Sequence, residues 1–186
     1  MLRNAAPGPD RMPPIPDDKL TAEQRAVAEE LAAGPRGAVR GPFIPMLRSP
    51  EFMRRTQKLG EYLRFDSAIP PRLSEFTILI VSRHWGNQIE WQVHHPIALK
   101  AGVAPAVAEA LGEGRRPEGM ATDEALVYDF CDELLRNRSV SDATYARAVE
   151  AFQENGVVDL VGIVGYYGIL AMLMNVARTP PLAEKR

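Results

Sequence analysis

Cysteine is almost absent: Cys131 is the single one among 186 residues. That excludes an intramolecular disulfide, a cysteine-rich zinc site and any CxxC redox pair. Histidine is scarce as well. His84, His94 and His95 are too few and too clustered for several metal sites. No block of like charge breaks the even mixture of 22 Lys+Arg and 24 Asp+Glu, a formal net charge of −2. Without a basic stripe, the chain is not expected to bind nucleic acid. Residues 1–18 contain no apolar run of the signal-peptide kind, and the expectation is a cytoplasmic enzyme or binding protein. Runs of alternating apolar and polar residues, the mark of half-buried strands, are missing too.

What is present is enough apolar material for a real core, at 46% hydrophobic and 25% charged residues. Residues 1–19 hold five of the sixteen prolines and no apolar period, and read as an extended arm, ordered only where it docks. Thr21 and Gln24 have the spacing of a capping box and open a helix whose stripe is Val27 and Leu31, stopped by Gly34-Pro35. The stretch from Gly34 to Pro50 is too apolar for a linker, with Phe43, Ile44, Met46 and Leu47, and predicts a short helical turn. Ser49-Pro50 starts the next helix, to about Phe65, with Phe52, Leu59, Tyr62 and Leu63 expected to face inward.

Beyond Pro71 the pattern predicts helices at 72–85, 88–101, 104–111, 122–137, 142–154 and 158–177, with turn or capping chemistry between them. Ser141-Asp142 reads as an N-cap and Asn155-Gly156 as a stop. The fold class is therefore all-α, with 1–45 as N-terminal arm and first helix and 46–186 as a helical domain. From Leu160 to Ala177 no charge occurs, which meets the length of a membrane span. Gly162, Gly165 and Gly168 recur every third residue, however, and no second span or basic loop accompanies them. A core helix or an oligomer interface, not a membrane, is the expectation.

The chemistry is concentrated between Glu75 and Gly102. Asn87, Glu90 and His94 fall on one helix face, continued by the small Ala98 and Ala101, while Trp91 and His95 form a neighbouring stripe. A Glu four residues before a His can hydrogen-bond it and favour its imidazolium, and burial would raise the carboxylate pKa. Such a pair titrates as a unit and can exchange a proton near neutral pH. The same spacing also arises on solvated faces with no role.

The run Arg72-Leu-Ser-Glu75, followed by Glu90-Trp91-x-x-His94-x-x-x-Ala98-x-x-Ala101-Gly102-Val103, resembles the carboxymuconolactone decarboxylase family, which shares its fold with the alkylhydroperoxidase D proteins. Val140-Ser141-Asp142 and Gly165-Tyr166-Tyr167 are similar to it as well, so the likeness spans roughly residues 45–178. It implies an alkylhydroperoxidase D-like helical domain with an N-terminal extension, a site on the central helical hairpin, and a homo-oligomer, trimer or hexamer. In the peroxidase branch a Glu, two cysteines and a His carry the reaction. Matched on His94, they fall on Glu75, Asn87, Glu90 and His94, so both sulfurs are missing. Neither Asn nor Glu can attack peroxide or resolve a sulfenate.

The decarboxylase branch implies cofactor-free acid–base chemistry on a small carboxylated lactone or ring. Glu90, His94 and Glu75 would be its catalytic groups, with His94 as the acid. Trp91 would wall the pocket, Arg83 or His95 would hold a carboxylate, and Asn87 would contact substrate. Residues 1–45 are extra to that pattern and available to cover the pocket or an interface. Two other readings stay open: an oligomeric binder that has lost the chemistry, and hydroperoxide reduction without a cysteine pair. No metal site is expected, because adjacent His94 and His95 point about 100° apart on a helix. Cys131, His84 and the Met172, Met174 pair are expected to be structural, Arg115-Arg116 solvated, and Tyr166-Tyr167 core with one member able to line the pocket.

Overall fold

The computed structural model describes residues 8–182. The chain is all-α there, with a single 3-10 turn (Asp17–Lys19) and eight helices: α1 (Ala22–Ala33), α2 (Phe43–Met46), α3 (Pro50–Phe65), α4 (Pro71–His84), α5 (Gln88–Ala101), α6 (Pro105–Gly112), α7 (Thr122–Asn137) and α8 (Asp142–Ala177). No strand occurs among the described residues.

Helix α4 is the axis of the fold. Every residue from Leu73 to Ser82 is buried, and α3, α5, α6, α7 and α8 all pack around it. A helix enclosed on all sides must satisfy its polar groups internally. Thr77 and Ser82 do so by donating to the carbonyls of Leu73 and Ile78, 2.8 and 2.7 Å away. Glu75 has no such local partner, and what it finds is described below.

The N-terminal elements join the same core. The Thr21–Gln24 capping box forms as expected, and Val27, Leu31 and Phe43 share one apolar cluster with Leu73, Phe76 and Leu160. The described part of the arm lies against the end of α8: the Arg11 amide donates to the Ala177 carbonyl at 2.7 Å, and Arg48 donates to the Pro13 carbonyl at 2.7 Å. Residues 1–7 of the expected arm lie outside the described residues.

Two expectations are corrected. On α3 the inward face is Met53, Thr56, Gln57, Gly60 and Leu63, whereas Phe52, Leu59 and Tyr62 are exposed. Gly60 sets that choice: it has no side chain, so the buried Tyr166 of α8 fits directly against its backbone. At Asn155-Gly156 the helix does not stop. The break falls at Gln153, in a non-helical conformation (φ 60°, ψ 173°), and helix resumes through Gly156.

The uncharged half of α8 is a core helix. Of its most apolar window 61% is buried within the monomer, against α3 and α4. Gly162 receives Leu63 of α3, while Asp159 accepts hydrogen bonds from the Tyr62 hydroxyl (3.0 Å) and the Ala68 amide (2.8 Å).

Candidate active site

Glu75 reaches across the α4–α5 hairpin to His94. Its Oε2 lies 2.6 Å from Nδ1 of the imidazole, and Oε2 of Glu90 lies 3.4 Å from Nε2 on the other side of the ring. All three are enclosed, with exposures of 6, 3 and 5% for Glu75, His94 and Glu90. The contact at Nδ1 assigns the tautomer: Nδ1–H donates to the Glu75 carboxylate, and Nε2 is aimed at Glu90. The separation of 3.4 Å is too wide for a short hydrogen bond.

Asn87 holds the hairpin in register. As N-cap of α5, its Oδ1 accepts from the Glu90 amide at 3.0 Å, satisfying one of the helix's orphan donors. Its Nδ2 donates to Oδ1 of Asn175 on α8 at 3.0 Å, and Asn175 in turn donates to the Trp85 carbonyl at 2.8 Å. The start of the helix carrying Glu90 and His94 is thus fixed to the core helix on one side and to the preceding turn on the other.

Glu90 and His94 border a cavity of about 450 Å³. Ile89, Leu170 and Tyr167 form apolar walls, and the loop from Pro35 to Phe43 lines another side of it. Tyr167 meets His94 edge to face, with ring centroids 5.1 Å apart. Three arginines line the same space: Arg36 and Arg40 from the loop and Arg64 from α3. Arg36 is held by two contacts, donating to the Tyr166 hydroxyl at 3.1 Å and lying 4.8 Å over the Phe43 ring. Leu182 edges the cavity, its amide donating to Gln92 Oε1 at 3.0 Å.

Burial raises the Glu90 carboxyl above the ordinary carboxylate value, against the pull of His94, Arg36 and Arg64. Tyr166 is pushed up to about 12 and Tyr167 well above its usual value, both chiefly by burial, so both hydroxyls keep their protons. The site therefore combines a carboxyl biased toward its protonated form, an oriented imidazole and a cationic rim beside apolar walls. It can transfer a proton to or from a small anion held beside the loop.

The structure brings Glu75, Glu90 and His94 together, the three residues expected to act. The expected substrate contacts are placed elsewhere. Asn87 is a cap, not a lining residue. Trp91 packs against Gly112 at the end of α6 and stacks on His95 (centroids 5.5 Å), so both face away from the cavity. Arg83, two turns along α4 from Glu75, lines a separate hollow. Ala98 is fully buried, and the free space lies toward the loop. Arg36, Arg40 and Arg64 were not expected; the one signal in the sequence was the unusually apolar stretch around Phe43. Cys131 is buried, its thiol pushed up to about 12 by burial, far too high for a reactive thiolate. His84 is biased against the imidazolium form by partial burial and by Arg136. The two carboxylates sit on opposite nitrogens of His94, and among the described residues no group of three or more ligand-type side chains converges on a metal position.

No protein-family model and no curated protein sequence matches the chain. Among solved structures, it is similar to an alkylhydroperoxidase AhpD core, an uncharacterized peroxidase-related protein from Ralstonia eutropha. The TM-score is 0.71 at 18% identity, over 96% of this chain and 95% of that one. The fold is accordingly that of the alkylhydroperoxidase D core, extended over nearly the whole length of both chains.

Proposed function

We propose that the protein is a carboxymuconolactone decarboxylase-like carboxy-lyase that needs no cofactor and acts on a small carboxylated lactone or ring. The observation that carries this reading is the buried Glu75–His94–Glu90 array opening into a cavity with three arginines. A guanidinium binds a carboxylate bidentately, and apolar walls suit a ring. When the carbon–carbon bond to the carboxylate breaks, CO₂ leaves and its bonding electron pair passes into the lactone as an enolate. A proton shared between Glu90 and Nε2 of His94 is then delivered to carbon, and water restores it. Glu75 keeps the imidazole in the tautomer this requires.

A cysteine-free hydroperoxide reductase finds no support in the site, which offers no group for peroxide to oxidise. The exposed apolar side chains of Phe52 and Leu59 on α3 and Val158, Val161 and Val176 on α8 support a homo-oligomer, for which the family resemblance implies a trimer or hexamer. A cytoplasmic setting fits a protein whose apolar helix is used in its own core.

The test is ultraviolet-monitored decarboxylation of 4-carboxymuconolactone by the wild type, Glu90→Gln and His94→Ala, with oligomer mass checked by light scattering. Turnover in the wild type, lost in both variants with the oligomer intact, supports the mechanism. Turnover retained in both variants refutes it.

A further inference from the structure

A second hollow, about 250 Å³, opens where the ends of α4 and α6 meet α7, and it shares no lining residue with the first. Ile80 and Leu111 give it apolar walls, while Arg83, Arg115, Arg136 and Tyr128 supply donors. The two outer arginines are already engaged: Arg115 pairs with Glu113, and Arg136 with Asp132 at 2.6 Å. Arg83 is not. Its Nε is the one buried side-chain polar atom among the described residues that has no hydrogen-bond partner.

The local charges are three arginines against two acids, and the positive charge left over resides on Arg83. Gly114 makes room for it. This glycine has a left-handed conformation (φ 80°), and a Cβ there would strike the Arg83 guanidinium. The turn thus seats a cationic fork whose donors lack an acceptor from the protein. A buried donor without a partner is unfavourable, and native structures rarely keep one without a ligand, ion or water to satisfy it.

We propose that this hollow is a binding site for a small oxyanion, a phosphoryl or carboxylate group, anchored by Arg83. The guanidinium offers paired N–H groups at the spacing of two oxygens of either group. The Tyr128 hydroxyl supplies a neutral donor at the same wall. Its ring is kept in place beneath the Arg116 guanidinium, 4.9 Å away.

The experiment is titration calorimetry of the full chain with inorganic phosphate and with acetate at fixed ionic strength, on the wild type, Arg83→Met, Arg36→Gln and the double variant. Saturable binding of at least one anion is expected. Of the binding observed, the component that survives in Arg36→Gln, whose lesion lies in the other cavity, should weaken about tenfold or more when Arg83→Met is added to that variant. Phosphate alone binding identifies phosphoryl ligands, and acetate binding identifies carboxylates. Thermal unfolding without anion gives a second readout: Arg83→Met should be at least as stable as the wild type, because it removes the unpartnered donor. The proposal is overturned if neither anion binds, if Arg83→Met leaves the binding unchanged in both the wild type and Arg36→Gln, if all binding is lost in Arg36→Gln, or if Arg83→Met unfolds earlier without anion.

Discussion

Replacing Glu75 by glutamine tests the array without depending on any substrate. The 2.6 Å contact from Nδ1 of His94 joins a charged acceptor to an enclosed donor. Bonds to an ionised partner contribute about 1.5–3 kcal/mol, against about 1 kcal/mol between neutral groups. In Glu75→Gln the side-chain amide keeps an acceptor of the same shape, so the loss is the difference, about 0.5–2 kcal/mol. That loss falls on the Nδ1–H tautomer alone, because a glutamine can also turn its amide and donate to a bare Nδ1. The tautomer ratio should therefore move toward Nε2–H by about 2- to 30-fold. Nitrogen-15 NMR of the labelled imidazole reads that ratio directly. Catalysis should fall by at least the same factor, through kcat more than KM. An unchanged ratio would refute the claim that Glu75 sets the tautomer, whatever the reaction turns out to be.

Gly60→Ala should destabilise the fold by about 1–3 kcal/mol, because the new methyl meets the hydroxyl of the fully buried Tyr166 and overpacking outweighs the gain in helix propensity. Urea unfolding measures it, and a variant as stable as the wild type would contradict the packing. Cys131 should resist alkylation at pH 8 in the folded protein and react readily once unfolded, since burial holds its pKa at about 12; equal rates in both states would be inconsistent with that. Burial raises Glu90 above its ordinary 4.5, so the native state holds this proton more tightly than the unfolded chain does. The resulting stability is full below the ordinary value and is lost as pH rises through the raised one. Thermal unfolding of Glu90→Gln across pH should lack that decline, and the same decline in both proteins would sink the assignment.

Much of the helical layout could be read from local chemistry, because caps act within a few residues. Thr21, Asn87 and Ser141 each accept a hydrogen bond from an amide three residues on, as a sequence pattern can indicate. The α3 face was misread for the opposite reason. Phe52, Leu59 and Tyr62 have the apolar character of core residues, but the side of α3 that turns inward was decided by Tyr166 fitting against Gly60, more than one hundred residues away in the chain. The residues proposed to be catalytic follow the same division. Glu90 and His94 share a helix, so their proximity followed from spacing, whereas Glu75 joins them only through the crossing of two helices. The cavity's arginines were hidden further still. Arg36 and Arg40 carry no periodic signal, and Arg83 looked suitable until its position along α4 placed it at the wrong end.

The loop between α1 and α2 gives the site an unequal division of labour. In the proposed reaction proton transfer belongs to the α4–α5 hairpin, while the groups that would select a substrate come largely from residues 35–43 and Arg64. Glu75 and His94 make no hydrogen bond to that loop, and their own contact does not pass through it. Recognition can therefore be rewritten without disturbing the Glu75–His94 contact, the pull of Arg36 and Arg64 on Glu90 being the link between the two parts. Exchanging a few loop residues would retune which anion enters, while the imidazole and its two carboxylates stay in place. Two proteins of this architecture with the same Glu–Glu–His array would then be expected to share a reaction type, and to differ in what they accept.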